Sequence, residues 1–444
     1  MVEYPEWYDG KNVNEVKFCE EFLKIHPMKS VNGTFFTVEG RVTDEDALRR
    51  EIYERLKPFF QAGITKRVAN LLEALRLEAC APDLPIKRDR ICTGKENLFR
   101  VRRFSAEREF CRNQLPVAYN EGASAPETWL RFLGELLYPE DIPTLQEFMG
   151  YCLLPTTKGQ KLLMLIGRGG EGKSRIGLVL RALLGANMAT GSMAKVETSR
   201  FARADLEHEL VMLDDDMKLE ALPQTNYIKA IVTAELPMDL ERKGQQSYQG
   251  DLYVRFLGFG NGSLKALYDR SEGFFRRQII LTTRPKAAGR TDDPFIAEKM
   301  CAESEGIFLW CLEGLRRLIA NGYSFTLSER ARGNMAEAVS DGNNAVDFMR
   351  SEGYIRLKAD AEASSRDLYA VYRLWCEDNA LKALSARSFS LYVCENLELY
   401  GLEQRATTST CPEDAVCAAS WAWSCCSARR EFGRKARVRA YART

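Results

Sequence analysis

The spacing of hydrophobic and polar positions divides the 444-residue chain into five zones. In some zones hydrophobic positions recur at helical spacing, and in others they form the short continuous runs typical of buried strands. The predicted zones are 1–125, mixed α and β; 126–160, helical; 161–325, alternating strands and helices; 340–404, short helices with aromatic positions; and 405–444, where the periodicity fades. Because strands that alternate with helices are typical of an α/β domain, the third zone predicts an α/β fold class.

Single elements can be predicted in the zones around this α/β region. Thr34–Val38 predicts a strand, and Glu45–Phe60 predicts an amphipathic helix capped by Thr43 or Asp44. Two helices are expected within 126–160. A further helix is expected over Asp293–Ala320, where hydrophobic residues share one stripe.

The strongest chemical signal is the run GRGGEGKS, which fits the pattern G-x-x-x-x-G-K-[ST]. A buried strand is predicted before it at Lys161–Ile166, and a helix after it that ends at Gly185. In this context the loop surrounds nucleotide phosphates with main-chain N–H groups, and the lysine reaches the β- and γ-phosphates while the serine hydroxyl binds Mg²⁺. The sequence therefore predicts ATP and Mg²⁺ as cofactors; the alternative is a chance glycine-rich turn. The predicted nucleotide-binding residues are Gly167, Gly169, Gly170, Gly172, Lys173 and Ser174.

A second run, Leu210–Asp216, predicts an apolar strand that ends in three carboxylates. A nucleotide loop of this type needs an acidic partner for magnesium and for water activation. Asp214 is the predicted magnesium-side acid, and Asp215 the predicted base or water-orienting residue, with Asp216 an alternative by one register. A solvated acidic turn after a core strand is the other interpretation.

A third predicted strand, Leu252–Phe259, leads to Asn261, which is well placed to orient the attacking water near the γ-phosphate. Asn-Gly is also an ordinary turn sequence. Arg276 and Arg277 precede a further strand, and an arginine there can act on the ATP of a neighbouring subunit. A surface arginine pair is the alternative.

Charge is distributed unevenly along the chain. The 63 Lys and Arg residues nearly balance the 62 Asp and Glu residues, which gives a net charge of +1. Residues 428–444 contain seven of the basic residues and one acid, so residues 1–427 have 56 basic and 61 acidic residues. This argues against a protein that coats nucleic acid through its bulk charge, and any contact with nucleic acid must be local.

The hydrophobic runs, the N-terminus and the cysteines indicate where in the cell the protein is located. The longest apolar runs, such as Leu162–Ile166, are far shorter than the ~20 residues of a membrane span. The N-terminal sequence lacks the basic start and apolar run of a secretory signal. Of the 13 cysteines, those up to Cys394 are scattered through mostly apolar segments, which fits reduced thiols. We therefore expect no membrane association and a cytoplasmic location in a bacterial host cell.

The order of these elements resembles the superfamily 3 helicases of viruses and mobile elements, and more closely the phage- and plasmid-encoded primase-helicases related to the poxvirus primase-helicase. The resemblance covers roughly Tyr4 to Leu402 and includes Trp7-Tyr8, Pro116–Asn120 and Leu145–Cys152. It implies an AAA+-type ATPase core with a mixed α+β pre-helicase region, a helical collar and a winged-helix-like C-terminal region. It also implies a homo-oligomeric ring of six subunits that moves along single-stranded or forked DNA, 3′→5′.

The resemblance also implies roles for residues of the core. Asp214 and Asp215 match the Walker B acids and Asn261 the sensor; Arg277 is the first choice for the arginine finger and Arg276 the second. The family's DNA-gripping hairpin corresponds to 235–249, with Arg242 and Lys243 near its tip. An ordinary basic turn is the alternative.

The chain departs from the family in three places. Residues 1–125 are too short for the family's primase domain, so primase activity is not expected and a separate primase is a possible partner. The hairpin lacks the glycine-rich lead-in of the family. The 405–444 tail contains four cysteines, Cys411, Cys417, Cys425 and Cys426, which lack the spacing of a zinc site. We interpret the tail as a segment foreign to the domain. A nucleic-acid-binding arm and a zinc site are the alternatives.

The predicted function is thus an ATP-dependent DNA helicase for replication of a phage, plasmid or integrated element. Two other classes remain open at the level of sequence. One is a P-loop protein that is not a helicase, such as a regulatory AAA+ switch or a small-molecule kinase, and the other is a truncated prophage remnant.

Overall fold

The computed structural model forms two compact units, residues 1–335 and 336–444. It describes residues 4–93, 98–100, 103–105, 109–217, 225–262, 272–287, 289, 292–342, 344–351, 353–355, 357–358, 362–379, 381, 383–397, 400, 402–406, 421–424 and 429–430. In this part of the chain, no helix is both long and apolar enough to cross a bilayer.

The first unit begins with helices and short strands that surround their own hydrophobic core. Its helices are α1 (Glu15–Ile25), α2 (Glu45–Leu56) and α3 (Ile64–Glu78). Its strands are β1 (Met28–Val31), β2 (Thr34–Thr37), β3 (Gly40–Arg41), β4 (Arg90–Thr93), β5 (Leu98–Arg100), β6 (Arg103–Ser105) and β7 (Gln114–Leu115). They form an antiparallel sheet of β1, β2 and β3, and a second sheet in the order β6-β5-β4-β7.

The predicted strand and helix of this region are confirmed with shifted ends. Asp44 is the cap of α2, because its carboxylate accepts hydrogen bonds from Asp46 N and Ala47 N. The helix ends at Leu56 and not at Phe60, since Pro58 has no N–H to continue the main-chain hydrogen bonds of the helix beyond Lys57.

The remainder of the first unit alternates strands with helices. Its helices are α4 (Glu127–Leu136), α5 (Ile142–Tyr151), α6 (Ser174–Leu184), α7 (Met193–Thr198), α8 (Arg200–Ala204), α9 (Asn226–Val232), α10 (Glu272–Phe275), α11 (Ile296–Ala302) and α12 (Ser304–Ala320), with α13 (Glu329–Gly342) across the boundary between the units. Its strands are β8 (Leu162–Gly167), β9 (Met188–Thr190), β10 (Val211–Met217), β11 (Met238–Leu240), β12 (Tyr248–Gly250), β13 (Arg255–Asn261) and β14 (Gln278–Thr282).

Five of these strands form one parallel sheet in the order β14-β8-β13-β10-β9. The α/β class predicted for this region is therefore confirmed. The ladder of β13 begins at Arg255, three residues after the predicted start, because its partner β10 begins opposite that residue at Val211. Since all five strands run the same way, the loops that follow them meet at one edge of the sheet.

The two helices predicted in 126–160 are α4 and α5, and α5 packs against α12 with its backbone in close contact. A Cβ atom on Gly150 would collide with the Cys311 carbonyl oxygen and lie 2.7 Å from Leu315 N. On α12, a Cβ on Gly314 would lie 2.5 Å from the Gln146 carbonyl oxygen. Only glycine permits this approach, so the pairing of these two helices is fixed at two positions.

The single helix expected over Asp293–Ala320 is instead two helices, α11 and α12, separated at Glu303. The Glu303 carboxylate accepts hydrogen bonds from Thr128 N and Trp129 N, both at 3.0 Å. It therefore satisfies main-chain donors in the first turn of α4 that have no partner within that helix.

The second unit, taken by itself, has a small core of aromatic and aliphatic side chains. Its described helices are α14 (Asn344–Arg350), α15 (Ser365–Asp378) and α16 (Ala386–Glu395). Its described strands are β15 (Leu357–Lys358), β16 (Glu362–Ser364), β17 (Glu403–Ala406), β18 (Trp421–Ser424) and β19 (Arg429–Arg430). The winged-helix-like arrangement stays a prediction.

Parts of the 405–444 tail are paired with this unit. Strand β18 lies between β16 and β17, and β19 pairs with β15. That the tail is foreign to the domain stays a prediction. The four tail cysteines considered for zinc lie outside the described residues.

The described cysteines are all free thiols. Six of them are buried, namely Cys19, Cys92, Cys111, Cys152 and Cys311 in the first unit and Cys376 in the second. No group of three or more His, Cys, Asp or Glu side chains within the described ranges is arranged to hold a metal ion.

Candidate nucleotide site and hairpin

The glycine-rich loop lies between β8 and α6, at the carboxyl edge of the parallel sheet. The strand before the loop and the helix after it are thus confirmed, and α6 ends at Gly185 as predicted. Gly169, Gly170 and Gly172 have φ values of +103°, +80° and +107°. Side chains other than glycine rarely adopt this backbone, so the loop can fold back on itself only with glycines at these positions.

Lys173 points into this loop and is 7% exposed. Its Nζ donates to Glu171 Oε2 at 3.0 Å and to Asn261 Oδ1 at 2.8 Å. Asn261 is the last residue of β13 and lies opposite Gly167 of β8 in the ladder. The structure therefore brings together the predicted lysine and the predicted sensor amide.

Glu171 is a second buried charge inside the loop, with 3% exposure. Its Oε1 accepts from Arg168 N at 2.5 Å, and its Oε2 accepts from Gly169 N at 3.0 Å. Burial raises the pKa of this carboxyl, but hydrogen bonds from Lys173 and from main-chain N–H groups outweigh burial and leave the pKa below its usual value. Glu171 was not among the residues predicted for this site, although an acid within an anion-binding motif is visible in the sequence.

The carboxylates of β10 face different surroundings. Asp214 is buried, and its Oδ2 accepts from Met193 N at 2.7 Å at the start of α7. Burial raises the pKa of Asp214, and the bond from Met193 N partly offsets that rise. Asp215 and Asp216 are exposed, and Asp215 lines the cavity beside the loop.

A cavity of about 660 Å³ opens beside the loop. Lys173, Ser174, Asp215 and Asn261 line it on the sheet side, together with loop glycines. Its volume falls in the range of small-molecule and cofactor sites, roughly 300–1,000 Å³. Four side chains that the sequence predicted for one site thus share one cavity.

Other residues that line this cavity lie outside the motif. Arg131, Phe132 and Glu135 of α4 contribute to it, as do Asp293 and Ile296 at the start of α11. No local sequence pattern distinguishes these residues from other helix surface positions, so sequence reasoning missed them.

The oxygen-rich part of the cavity fits Mg²⁺ in its donor types. The exposed Ser174 hydroxyl, at the first residue of α6, and the Asp215 carboxylate both line the cavity. Mg²⁺ prefers such oxygen ligands, and a nucleotide-bound ion keeps several waters. When bound, Mg²⁺ would neutralise phosphate charge. Ser174 would supply a protein ligand, and Asp215 would orient metal-bound or attacking water.

Arg276 and Arg277 lie at the other edge of the sheet from Lys173. Arg277 directly precedes β14, and its carbonyl accepts from Leu162 N at 2.9 Å, at the first residue of β8. The length of β8, at ~3.3 Å per residue, separates this edge from the loop by about 16 Å. The two arginines are therefore not brought together with the loop of their own chain.

The two arginines also differ in accessibility. Arg276 is exposed, whereas Arg277 is half-buried and its Nη1 donates to the Gly273 carbonyl. Burial, and then the neighbouring Arg276 charge, lower the pKa of Arg277. Arg276 is thus the side chain that is more accessible to solvent, and the choice of Arg277 as the arginine finger stays a prediction.

The stretch 235–249 contains a β-hairpin, with β11 and β12 antiparallel and Arg242, Lys243 and Gly244 in the connecting turn. Arg242 is held towards the body of the unit, since its Nη2 donates to Glu207 Oε2 at 2.8 Å and its Nε donates to Tyr248 Oη at 2.8 Å. Lys243 is exposed and has no hydrogen bond or ion pair with any described residue. Of the two predicted DNA-contacting side chains, only Lys243 points freely into solvent.

Comparisons with known proteins cover the region of this site. A sequence model of a family described as "Family of unknown function (DUF5906)" matches residues 165–277, from the end of β8 to Arg277. The match covers less than half of the chain. No curated protein matches the sequence.

Among solved structures, the chain is similar to the C-terminal region of NrS-1. An apo structure of that region has 10% identity and a TM-score of 0.49, and the match covers 77% of this chain and 78% of that one. Two A-form apo structures have TM-scores of 0.44 and 0.47 with 11% and 10% identity. The first match covers 71% of both chains, and the second covers 86% of both.

Proposed function

We propose that this protein is an ATP-dependent DNA helicase of the superfamily 3, AAA+ type, which forms a ring and serves replication of a phage, plasmid or integrated mobile element. The observation that carries the proposal is the convergence of Lys173, Ser174, Asp215 and Asn261 on one cavity at the carboxyl edge of a parallel sheet. Parallel α/β sheets bind ligands at this edge.

ATP binds with its phosphates against the loop and the N-terminus of α6. Loop N–H groups and the partial positive charge of the helix end stabilise the phosphate charge, and Lys173 takes the β- and γ-phosphates. Asn261 Oδ1 lies 2.8 Å from Lys173 Nζ, so the Asn261 amide is close to the position where the γ-phosphate binds. Asp215 orients the attacking water, and Asp214, through Met193 N, fixes the end of β10 against α7.

The ring explains why the arginines lie far from their own loop. In a head-to-tail ring, the edge that carries Arg276 and Arg277 faces the ATP of the next subunit. An arginine supplied by a neighbour stabilises charge that develops during phosphoryl transfer. Arg276 is the first candidate because it is exposed, and Arg277 is the second.

The hairpin of β11 and β12 binds single-stranded DNA through Lys243, which contacts the backbone phosphates without sequence preference. Hydrolysis around the ring moves successive hairpins along one strand, in the 3′→5′ direction that the family resemblance implies. Primer synthesis belongs to a separate partner.

The test is strand separation by the full chain with ATP and Mg²⁺, on forked duplexes that carry either a 3′ or a 5′ single-stranded tail, together with the native mass. We expect unwinding of the 3′-tailed substrate by a species of six subunits. A monomer that transfers phosphate to a small molecule without affecting DNA would instead support a kinase, and nucleotide binding without unwinding would support a regulatory switch.

A further inference from the structure

Glu171 places an anion inside a loop whose main-chain donors are suited to bind anions. The side chain is 4% exposed, and its two oxygens accept from Arg168 N, Gly169 N and Lys173 Nζ. An ammonium and main-chain N–H groups are the kinds of donor that phosphate oxygens use in such a loop. A carboxylate is thus bonded to part of the machinery proposed to bind the nucleotide.

The Lys173 ammonium is left with little free capacity. An ammonium has three N–H donors, and two of them are directed at Glu171 and Asn261. The Glu171 charge also neutralises the lysine at a separation of 3.0 Å in a buried setting, where opposite charges interact more strongly than in water. Phosphates that approach this loop must therefore displace the carboxylate from Lys173.

We propose that Glu171 is an intramolecular competitor of the nucleotide phosphates, which holds Lys173 in a neutralised pair until a nucleotide displaces it. This inference rests on the proposed nucleotide site and adds a regulation of that site. The pair of Glu171 with Lys173 lowers the affinity of the loop for nucleotides. Only ligands that carry phosphates are affected, because only they have to displace the Glu171 carboxylate.

Glu171→Gln tests this directly, because glutamine keeps the size and one acceptor oxygen but loses the charge. Binding of ADP, inorganic pyrophosphate and adenosine to the full chain is measured by titration calorimetry. We expect ADP and pyrophosphate to bind about tenfold more tightly to the variant, since a charge-assisted bond no longer has to be broken. Adenosine should bind equally to both proteins because it carries no phosphate.

Glu298→Gln is the matched control, since Glu298 is exposed on α11 and its replacement changes the net charge equally. It should leave all three affinities unchanged. If Glu171→Gln fails to fold, as judged by circular dichroism, Glu171→Ala provides the same comparison.

The outcomes separate the two proposals. If wild type binds ADP and the Glu171 variants bind it equally or more weakly, Glu171 only braces the loop and the competitor role is overturned. If the variants alone bind ADP, the inference is supported in its strongest form. If neither wild type nor variants bind ADP, the nucleotide site itself is wrong and the inference falls with it.

Discussion

Adjacent carboxylates on β10 illustrate how the surroundings of single residues decide their chemistry. The ladder of β10 with β13 is irregular between Asp214 and Met217, and the two neighbouring carboxylates Asp214 and Asp215 have different surroundings. Asp214 is buried against α7, and Asp215 lines the cavity. Water orientation by Asp215 and a positioning role for Asp214 are therefore the roles that we propose for them.

Glu209 is a partly buried acid, with its side chain 12% exposed, and its ionisation should affect stability. Its Oε1 lies 3.7 Å from Arg41 Nη1, and its Oε2 is buried without a hydrogen-bond partner in the described part of the chain. Burial outweighs the nearby arginines and raises the pKa of Glu209 from 4.5 to about 7. Between these two values the folded chain binds more protons at this site than the unfolded chain, so the free energy of unfolding falls as the pH rises.

Glu209→Gln should remove this dependence, because glutamine does not ionise. The variant should be more stable than wild type at pH 8, by on the order of 2 kcal/mol, and similar to it at pH 5. Urea unfolding at the two pH values measures the difference. Glu20→Gln, at an exposed position of α1, is the control and should be neutral at both. An equal pH dependence in Glu209→Gln and wild type would contradict the assignment.

At the residue scale, positions could be predicted from the sequence where a motif fixes the backbone, and could not where tertiary packing decides. The loop glycines, Lys173 and Asn261 were predicted because motif and strand ends place them at one edge. Arg255, by contrast, lies in β13 and is only 2% exposed. The hydrophobic pattern of the strand does not indicate that an arginine would be buried there. Its guanidinium donates to the carbonyls of Cys152 and Tyr253, and no local pattern indicates that such partners will be present.

At the scale of elements, the hairpin of β11 and β12 is braced on one side. Glu207 accepts from both Arg242 and Tyr248, and Arg200 pairs with Glu241 at 2.8 Å. These contacts hold the turn end of the hairpin against α8 and the residues after it. The turn is therefore held in place by its neighbours, while the Lys243 side chain stays exposed to solvent.

Lys243→Ala should preserve the basal ATPase rate and weaken the response to single-stranded DNA. Since one phosphate contact is lost per subunit, the slope of log affinity against log salt should fall by about one per subunit. DNA-binding titrations at several salt concentrations, with ATPase assays in parallel, measure both effects.

Lys66→Ala is the matched control, because Lys66 is an exposed lysine of α3, outside the hairpin. It should change neither quantity. An unchanged salt slope and full DNA stimulation in Lys243→Ala would mean that the hairpin is an ordinary basic turn.

Elements were predictable to different degrees. Helices with a clear hydrophobic stripe, such as α2 and α4, were predicted, and a local signal explains the early end of α2 at Pro58. The break between α11 and α12 was not predicted, because Glu303 there makes its contacts with α4, which is distant in sequence. The close contact of α5 with α12 is likewise a property of the pair and not of either helix.

For the whole molecule, the near-neutral net charge conceals positive charges that lie at separate places. Lys173 lies at one edge of the sheet, the arginine pair lies at the other, and Lys243 is on a hairpin. The order of motifs along the chain indicated an α/β core, and the order of strands within the sheet came only from the structure. That strand order places β13, which ends in Asn261, between β8 and β10.

The most direct measurement of the central claim is the rate of ATP hydrolysis by the full chain, with and without single-stranded DNA, in wild type and Lys173→Ala. We predict that wild type hydrolyses ATP, that single-stranded DNA accelerates hydrolysis several-fold, and that Lys173→Ala reduces both rates to background because the β- and γ-phosphates lose their cation. Absence of hydrolysis in wild type, or hydrolysis that DNA does not change, would contradict an ATP-driven motor on DNA.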